Sequence, residues 1–261
     1  MAHGIWQLNR LPESAEPAAG GKARTLARLA RAGYPVPPGI VIPSTAFRDG
    51  DLRPEAWTGV QEALSVLRER EGRASFAVRS SGASEDSDSA SFAGEFETVL
   101  NVTTDEEIRR AVHTVYASRS GERANAYSLS HRGAAEISAE MEMAVIIQKM
   151  IPAELAGVLF TADPVSGDGR EMKGSYVRGL ADRLVSGEDS GQEFRLEVPS
   201  GAYHGPAELK PYSKSLYALG RRLAEELGGP QDIEWAIAGG SLALLQARPV
   251  STMRPYSPRT G

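Results

Sequence analysis

A glycine pair followed by a lysine, Gly20-Gly21-Lys22, is the first group in the sequence that could bind a phosphate. Glycines let backbone amides approach an anion closely, and a helix N-terminus and a lysine add positive potential. These residues do not form a P-loop, because Glu16 stands where that motif has its first glycine and Ala23 follows the lysine. A flexible turn before an ordinary helix is the alternative interpretation of this segment.

Arg79 is the second candidate for binding a phosphate. It ends a predicted strand that begins at Phe76, and Ser80-Ser81-Gly82 follow it. A guanidinium can bind a phosphate through two hydrogen bonds, and the small polar residues add further donors. A surface ion pair is the alternative for an arginine at a strand end. The acidic residues further along this loop lack the spacing of an EF-hand and are interpreted as solvated charges: Glu85, Asp86 and Asp88.

Glu234 and Gln246 are candidate metal ligands on the two strands of a predicted hairpin. A carboxylate and an amide oxygen suit Mg²⁺, which takes few protein ligands when it also binds nucleotide phosphates. Because side chains alternate between the faces of a strand, the two residues share a face only if the connection has an odd number of residues. A three-residue connection, Ala238-Gly239-Gly240, meets this condition. A two-residue Gly239-Gly240 turn would separate them.

Composition argues against several classes of function. The chain of 261 residues has a net charge of −5, which gives no field for a nucleic acid, and no apolar run reaches the ~18 residues of a membrane span. It contains no cysteine, so thiol and disulfide chemistry are excluded. The histidines have no recognisable catalytic spacing: His3, His113, His131 and His204. We expect a cytoplasmic protein without nucleic-acid or membrane partners.

The elements that must position these residues are a mixture of helices and strands. Apolar residues recur at helical spacing from Lys22 to Ala32, from Val60 to Leu67 and from Leu216 to Leu227. Strands are predicted at Gly39 to Ile42, Phe76 to Arg79, Glu95 to Val102, Met143 to Met150, Ala156 to Thr161, Asp232 to Ala238 and Leu242 to Ala247. Thr103 and Glu106 have the spacing of a capping box before a further helix. A loop is predicted between Pro164 and Gly174. The pattern is typical of an α+β protein.

Several short motifs resemble, in the same order, the ATP-binding domain of pyruvate phosphate dikinase, phosphoenolpyruvate synthase and rifampin phosphotransferase. The motifs of the first half are Gly20-Gly21-Lys22, Gly33 to Gly39, Phe76 to Gly82 and Ala90 to Gly94. Those of the second half are Ile147 to Ile151, Ala156 to Pro164, Pro230 to Ala236 and Leu245 to Pro249. The order of the whole set is more specific than any single motif.

The resemblance implies an ATP-grasp architecture with two lobes that close on a nucleotide, here residues 1–145 and 146–261. It implies ATP and Mg²⁺ (or Mn²⁺) as cofactors. By position in the motifs, Lys22, Arg79 and Arg248 would bind the phosphates and act in catalysis. Glu234 and Gln246 would bind the metal. The residues implied to line the rest of the nucleotide site are Thr98 on the phosphate side, Gln148, Lys149, Met150 and Ile151 at adenine, and Asp182.

The sequence departs from the family pattern at three places. The family has Gly-Leu-Gly-Glu where residues Gly179 to Asp182 are Gly-Leu-Ala-Asp, so the acid is one methylene shorter. The stretch from Phe47 to Ser75 is shorter than in the family. The chain also ends soon after Arg248, so we expect the swivelling phosphohistidine domain and the acceptor-substrate domain to be absent from it.

Three functional hypotheses follow. The first is an ATP-handling component of a split system, which phosphorylates a histidine on a separate partner protein. The second is a stand-alone ATP-grasp kinase or ligase that phosphorylates a small molecule directly, with its acceptor site in the region from Gly169 to Ser190. The third is a nucleotide-binding module without turnover. We prefer the first, because the motifs supply a nucleotide site but no phosphoryl carrier.

Overall fold

The computed structural model describes residues 3–82, 98–129, 142–185 and 187–250. The chain divides into two compact units, Met1–Met150 and Ile151–Gly261. The division lies at Met150 rather than at residue 145, because the strand Met143–Lys149 is hydrogen-bonded to a neighbouring strand on each side within the first unit. Each unit has its own sheet.

The first unit is built on a five-stranded sheet. The strands of this unit are β1 Trp6–Gln7, β2 Gly39–Ile42, β3 Phe47–Arg48, β4 Asp51–Leu52, β5 Phe76–Gly82, β6 Val99–Val102 and β7 Met143–Lys149. Its helices are α1 Gly20–Arg31, α2 Pro54–Glu71 and α3 Asp105–Leu129, with short 3₁₀ helices at Leu8–Arg10, Glu13–Ala18 and Ser44–Ala46. The strand order is β1-β2-β7-β5-β6, and β3 pairs with β4 in a separate hairpin.

Helices cover both faces of this sheet. On one face, Leu26 and Ala27 of α1 pack with Val41 of β2 and Ile146 of β7. On the other face, α2 and α3 bury a larger apolar cluster that includes Ile40, Ile42, Val60, Leu64, Phe76, Val78, Ile108, Val112, Val145 and Ile147. Each fully buried leucine or isoleucine contributes about 1.5–3 kcal/mol to stability. Strand alternation therefore assigns each side chain of β5 and β7 either to the α1 face or to the α2 and α3 face.

The start of α3 corrects the predicted capping box. Thr104 Oγ1 accepts a hydrogen bond from the amide of Glu107 at 3.2 Å, and Glu107 Oε2 accepts one from the amide of Thr103 at 3.3 Å. The capping pair is therefore Thr104 and Glu107, one residue later than the predicted Thr103 and Glu106. Both pairs have the same spacing, and only the position at which α3 begins distinguishes them.

The second unit contains a six-stranded sheet. Its strands are β8 Leu155–Phe160, β9 Glu171–Arg178, β10 Gln192–Glu197, β11 Tyr203–His204, β12 Gln231–Ala238 and β13 Ser241–Pro249. Its helices are α4 Asp182–Val185 and α5 Ser213–Leu227, with a 3₁₀ helix at Lys210–Tyr212. The strand order is β11-β10-β9-β8-β12-β13, and each neighbouring pair is antiparallel.

One face of the second sheet is apolar and is covered by α5. Trp235 is fully buried there, with the rings of Phe194 and Tyr176 at 6.1 and 6.5 Å. Gly220 of α5 lies so close to this face that a Cβ atom would be 2.8 Å from Met172 Sδ. The opposite face of the same strands carries their polar side chains, because residues next to each other in a strand point to opposite faces.

The α+β class is confirmed. The loop predicted between Pro164 and Gly174 ends earlier, because β9 begins at Glu171 and buries Met172 and Tyr176 in the apolar face. Within the described residues, no helix has both the length and the apolar character needed to cross a membrane.

Candidate functional site

The structure brings the two predicted phosphate-binding segments of the first unit into direct contact. Ser81, near the end of β5, accepts a hydrogen bond through its Oγ from the amide of Ala23, in the first turn of α1, at 3.1 Å. Gly20 has a φ of +77°, and a Cβ atom there would lie 2.1 Å from the carbonyl oxygen of Ser81. Only glycine fits this approach. Lys22 is therefore next in sequence to Ala23, which contacts the strand that carries Arg79.

Arg79 lies on the α1 face of the sheet. It pairs with Ile146 of β7, which belongs to the α1 core, and it is two residues before Ser81 on the same strand. Its Nε atom is buried and has no hydrogen-bond partner in the described part of the chain. A buried charged donor without an acceptor is costly, so this position favours a bound anion. Lys22 is half-buried on the neighbouring helix.

Gln148 and Lys149, both predicted to line adenine, point to opposite faces of β7. Gln148 is 2% exposed, pairs with Ala77, and donates through Nε2 to the carbonyl oxygen of Pro37 at 3.0 Å. It lies on the Arg79 face. Lys149 Nζ instead forms an ion pair of 2.7 Å with Glu71 at the end of α2. The Lys149 side chain therefore lies on the other face of β7. Only its backbone could contact a ligand on the Gln148 side.

The other predicted residues of the first unit have simpler surroundings. Met150 donates its amide to the carbonyl oxygen of Ser75 at 2.9 Å and ends the unit. Thr98 is exposed and directly precedes β6, whose first residue, Val99, pairs with Val78 of β5. Because the two strands are antiparallel, Thr98 is next to Arg79. Ile151 begins the second unit. Glu85, Asp86, Asp88 and His131, and the motif from Ala90 to Gly94, lie outside the described residues.

The hairpin of β12 and β13 places Glu234 directly opposite Gln246. The turn is the two-residue Gly239-Gly240 connection, since Ala238 pairs with Ser241. On its own this turn would put the two side chains on opposite faces. The register shifts between Glu234 and Trp235, however, because Trp235 pairs with Leu244 and leaves one extra residue on β13. This bulge restores the shared face.

The extra residue of the bulge is Leu245. It falls between Leu244, which is buried opposite Trp235, and Gln246, which is 9% exposed opposite Glu234. Directly opposite residues of an antiparallel pair have Cβ atoms about 4.5–5.5 Å apart, so both oxygens of the predicted metal pair can reach one ion.

Asp232 and Arg248 form the next pair along the same face. Their side chains are linked by a hydrogen-bonded ion pair of 2.8 Å between Arg248 Nε and Asp232 Oδ2. The Asp232 side chain is only 13% exposed, so the arginine is held in one orientation. Sequence reasoning predicted Arg248 but missed Asp232. The signal was present, because Asp232 is two residues before Glu234 and must share its face in a strand.

The residues on this face suit a divalent ion whose other ligands are water molecules and nucleotide phosphates. No ion pair joins the Glu234 carboxylate to another described side chain. Among the residues that the structure describes, no group of three or more acidic or histidine side chains is placed to hold a metal. One carboxylate and one amide suit Mg²⁺, which keeps waters and binds nucleotide phosphates. They do not make a closed zinc-type site.

Asp182 lies at a different end of the second sheet. It is exposed at the first residue of α4. The preceding Gly179 donates its amide to the carbonyl oxygen of Glu154, and Glu154 donates its own to Ile237, near the hairpin turn. Asp182 is therefore close to the turn end of β12, and its role stays a prediction.

The polar loop predicted after Pro164 lies at the other end of this sheet, beside a cavity. Asp163 accepts hydrogen bonds from the amides of Val165 and Ser166 and from Lys173 Nζ, at 2.8, 3.0 and 2.8 Å. The hydrogen bond from Lys173, with those of the two amides, lowers the pKa of the Asp163 carboxyl. A cavity of about 520 Å³ opens beside this loop and is lined by Asp163, Ser166, Asp168, Arg170, Glu171, Lys173, Glu197, Val198 and Ser200.

Comparison with known families identifies a match. The family described as pyruvate phosphate dikinase, AMP/ATP-binding domain, matches residues 47–207. Arg79, Thr98, Gln148 and Asp182 fall inside the matched range. Lys22 and the hairpin from Gln231 to Pro249 fall outside it, so their roles depend on their own motifs and geometry.

Individual relatives extend the similarity over more of the chain. The chain is 33% identical to a rifampicin phosphotransferase from Streptomyces sp, in a match covering 77% of this chain and 26% of that protein. It is 29% identical to a probable phosphoenolpyruvate synthase from Archaeoglobus fulgidus, over 91% of this chain and 40% of that protein. D-alanyl-alanine synthetase A from Vibrio cholerae is similar in structure, with a TM-score of 0.46 and 13% identity over 93% of this chain and 59% of that one. The chain spans about a third of the length of the curated relatives that it matches.

Proposed function

Because this chain belongs to the family of pyruvate phosphate dikinase AMP/ATP-binding domains, we propose that it binds ATP with Mg²⁺ (or Mn²⁺) and transfers a phosphoryl group to a histidine of a separate protein or domain. Family membership also supports the ATP-grasp architecture that the sequence motifs imply. A reaction that consumes ATP favours a cytoplasmic location.

The observation that carries this proposal is the register of the last hairpin. The bulge at Leu245 puts Glu234 and Gln246 opposite each other, and Asp232 and Arg248 opposite each other, on one face. A carboxylate, an amide oxygen and an oriented guanidinium are the groups that a metal-bound polyphosphate needs. Packing of the hairpin alone does not require a carboxylate, an amide and a guanidinium on its polar face.

The chain acts on ATP by binding and by neutralising charge. In the first unit the proposed phosphate ligands are Lys22 and Arg79. In the second unit the proposed phosphate ligand is Arg248, which Asp232 orients. Glu234 and Gln246 would hold Mg²⁺, which would supply positive charge to the phosphates. Phosphoryl transfer depends mainly on such positioning and electrostatic stabilisation, so this chain needs no general base.

The acceptor in the first candidate function is a histidine supplied by another protein. In this reaction ATP, one water and the acceptor histidine yield AMP, orthophosphate and a phosphohistidine, which accounts for all three phosphates. The relatives support this proposal, since they are about three times as long as this chain and carry names of phosphotransferases and synthases.

A second candidate function is direct transfer to a small molecule, with ADP as the product. The cavity of about 520 Å³ favours it, because the cavity reaches Lys173 on the polar face of β9. Lys173 pairs with Phe160, which in turn pairs with Asp232. Lys173 is therefore two strands, or roughly 10 Å, from Asp232, which is beside the proposed metal ligands.

Product analysis separates the two functions. The purified chain is incubated with Mg²⁺ and ATP, with and without a separately purified phosphohistidine-domain protein, and the nucleotides are separated by chromatography. We expect AMP and phosphate only when the partner is added. ADP formed with a small acceptor in the absence of the partner would refute the split system. Mg²⁺-dependent ATP binding without turnover under either condition would instead indicate a binding module.

A further inference from the structure

We propose that Ser81 is a positioning residue whose buried hydroxyl holds the first turn of α1, and with it Lys22, beside Arg79. The inference rests on the proposed function, because it concerns how this chain arranges two of its phosphate ligands. Ser81 itself need not touch the nucleotide. Its role is to fix the separation of two cations that come from distant parts of the sequence.

The start of α1 has no cap of its own. The residue at the cap position is Ala19, whose side chain cannot accept a hydrogen bond, and no side chain caps the helix from that position. A side chain from another element can fasten such a helix start in its place. The Ser81 hydroxyl accepts a hydrogen bond from the amide of Ala23, across 58 residues of sequence.

This contact is dry and tightly packed. Ser81 is 0% exposed, so water cannot replace the hydroxyl if it is removed. Gly20 approaches the Ser81 carbonyl so closely that no side chain fits on it. Loss of the hydroxyl would remove this buried hydrogen bond between α1 and β5, so the helix start would be held less firmly against the strand.

The same contact connects α1 with Arg79. Arg79 and Ser81 are on one face of β5, with Cα atoms roughly 6–7 Å apart, as for any residues two apart in a strand. Lys22 precedes Ala23 by one residue. A displacement of the helix start therefore changes the distance between the Lys22 and Arg79 cations. Misplacement of a ligand-binding group by about 1 Å can cost about 10²-fold in rate.

A double-mutant cycle tests this role through the affinity for Mg-ATP, measured by isothermal titration calorimetry on the full chain. We expect Ser81→Ala to weaken binding by about tenfold in the unmodified protein, consistent with one lost charged contact. In the Lys22→Ala background we expect Ser81→Ala to change affinity by less than about twofold, because Lys22 no longer needs to be positioned. Ser81→Thr, which keeps the hydroxyl, should restore most of the affinity.

Two controls separate positioning from loss of stability. Ile108→Val removes one methylene from the core on the other face of the sheet, away from α1, and should lower the melting temperature without changing affinity. If Ser81→Ala does not fold, Ser81→Cys keeps the volume with a weaker acceptor and is carried through the same cycle.

The possible outcomes are distinct. Equal effects of Ser81→Ala with and without Lys22, or no effect in either, overturn the positioning role while leaving ATP binding established. Failure of the unmodified chain to bind Mg-ATP refutes the proposed function and this inference together. Loss of affinity that depends on Lys22, with recovery in Ser81→Thr, supports both.

Discussion

The two units gather their charged residues by different means. In the first unit, Lys22 and Arg79 belong to a helix and a strand joined by a contact between residues 58 positions apart, Ala23 and Ser81. In the second unit, four polar residues come from one hairpin and are aligned by its register: Asp232, Glu234, Gln246 and Arg248. A tertiary contact can be weakened gradually by substitution, whereas a register is either kept or lost. The proposed ligands of each unit should therefore respond differently to substitution.

Removal of the metal carboxylate is expected to have the largest effect. Glu234→Ala should lower Mg²⁺-dependent turnover by at least about 10²- to 10³-fold, because it deletes the only carboxylate of the Glu234 and Gln246 pair. Turnover is measured as nucleotide product with the partner protein present. The fold should stay intact, since Glu234 is on the polar face and makes no described ion pair.

Glu193→Gln is the matched control for this prediction. Glu193 is an exposed carboxylate on β10 of the same sheet, in register with Ser175. It should retain full activity. Unchanged turnover in Glu234→Ala would reject the assignment of the metal to this hairpin.

A change in chain length tests the register of the hairpin. Insertion of one alanine after Leu245 should turn Gln246 and Arg248 toward the apolar face, because a one-residue slip reverses every side chain beyond it. We expect a loss of at least about tenfold in Mg²⁺-dependent ATP affinity, together with lower stability from burying a charged group.

Deletion of Leu245 is the informative counterpart. Leu245 is the extra residue of the bulge, so its removal leaves Trp235 opposite Leu244 and Glu234 opposite Gln246 in a regular hairpin. ATP affinity should stay within about threefold of the parent value, since the faces of the strand are unchanged. Equal losses of ATP affinity in the deletion and the insertion would show that the bulge itself, and not only the shared face, is needed for binding.

A substitution at the α1 junction should have a smaller and graded effect. Gly20→Ala places a Cβ atom against the Ser81 carbonyl at a positive φ, so both stability and ATP affinity should fall.

Lys22→Ala should reduce affinity by about tenfold through loss of one charged phosphate contact. Its melting temperature should change little, because Lys22 is only half-buried. Parallel calorimetry and thermal melts distinguish the two variants. Unchanged affinity in Lys22→Ala would remove Lys22 from the site.

Local periodicity predicted most of the elements near the site. The strand from Gly39 to Ile42 agrees at both ends, and the last hairpin and the Leu216 to Leu227 helix agree within a few residues. β9 and β10 were missed, because Gly174 and Gly191 and the charged residues around them are typical of loops. These strands form only because their alternate residues complete the apolar face around Trp235.

The arrangement of the site was less predictable than its residues. The two-residue turn was recognised as a condition that would separate Glu234 from Gln246, and the turn does have two residues. The bulge at Leu245 removes the conflict, but a bulge has no reliable signal in a run such as Leu242-Ala243-Leu244-Leu245. Strand alternation puts the Lys149 side chain on the face opposite Gln148, but its ion-pair partner Glu71 is 78 residues away and could not be predicted from local pattern.

Acidification should weaken the polar loops of the second unit, with the smallest effect of the series because these pairs are exposed and screened by solvent. A hydrogen bond from Lys173 lowers the pKa of Asp163, and hydrogen bonds from Arg178 and Tyr176 lower that of Glu208. A carboxyl whose pKa is lower in the folded state stabilises the fold above its unfolded pKa of about 4 and loses that contribution as the pH falls further.

The fluorescence of Trp235 can follow this loss. With Trp6 and Trp57 replaced by phenylalanine, Trp235 is the only tryptophan and reports on the second unit alone. Its urea midpoint should fall between pH 5 and pH 2.5, and the fall should be smaller when Asp163→Asn and Glu208→Gln are added, because those carboxyls no longer titrate. An identical pH dependence with and without the two substitutions would show that these loops do not contribute to the stability of the sheet. The register that aligns Glu234 with Gln246 would then be independent of them.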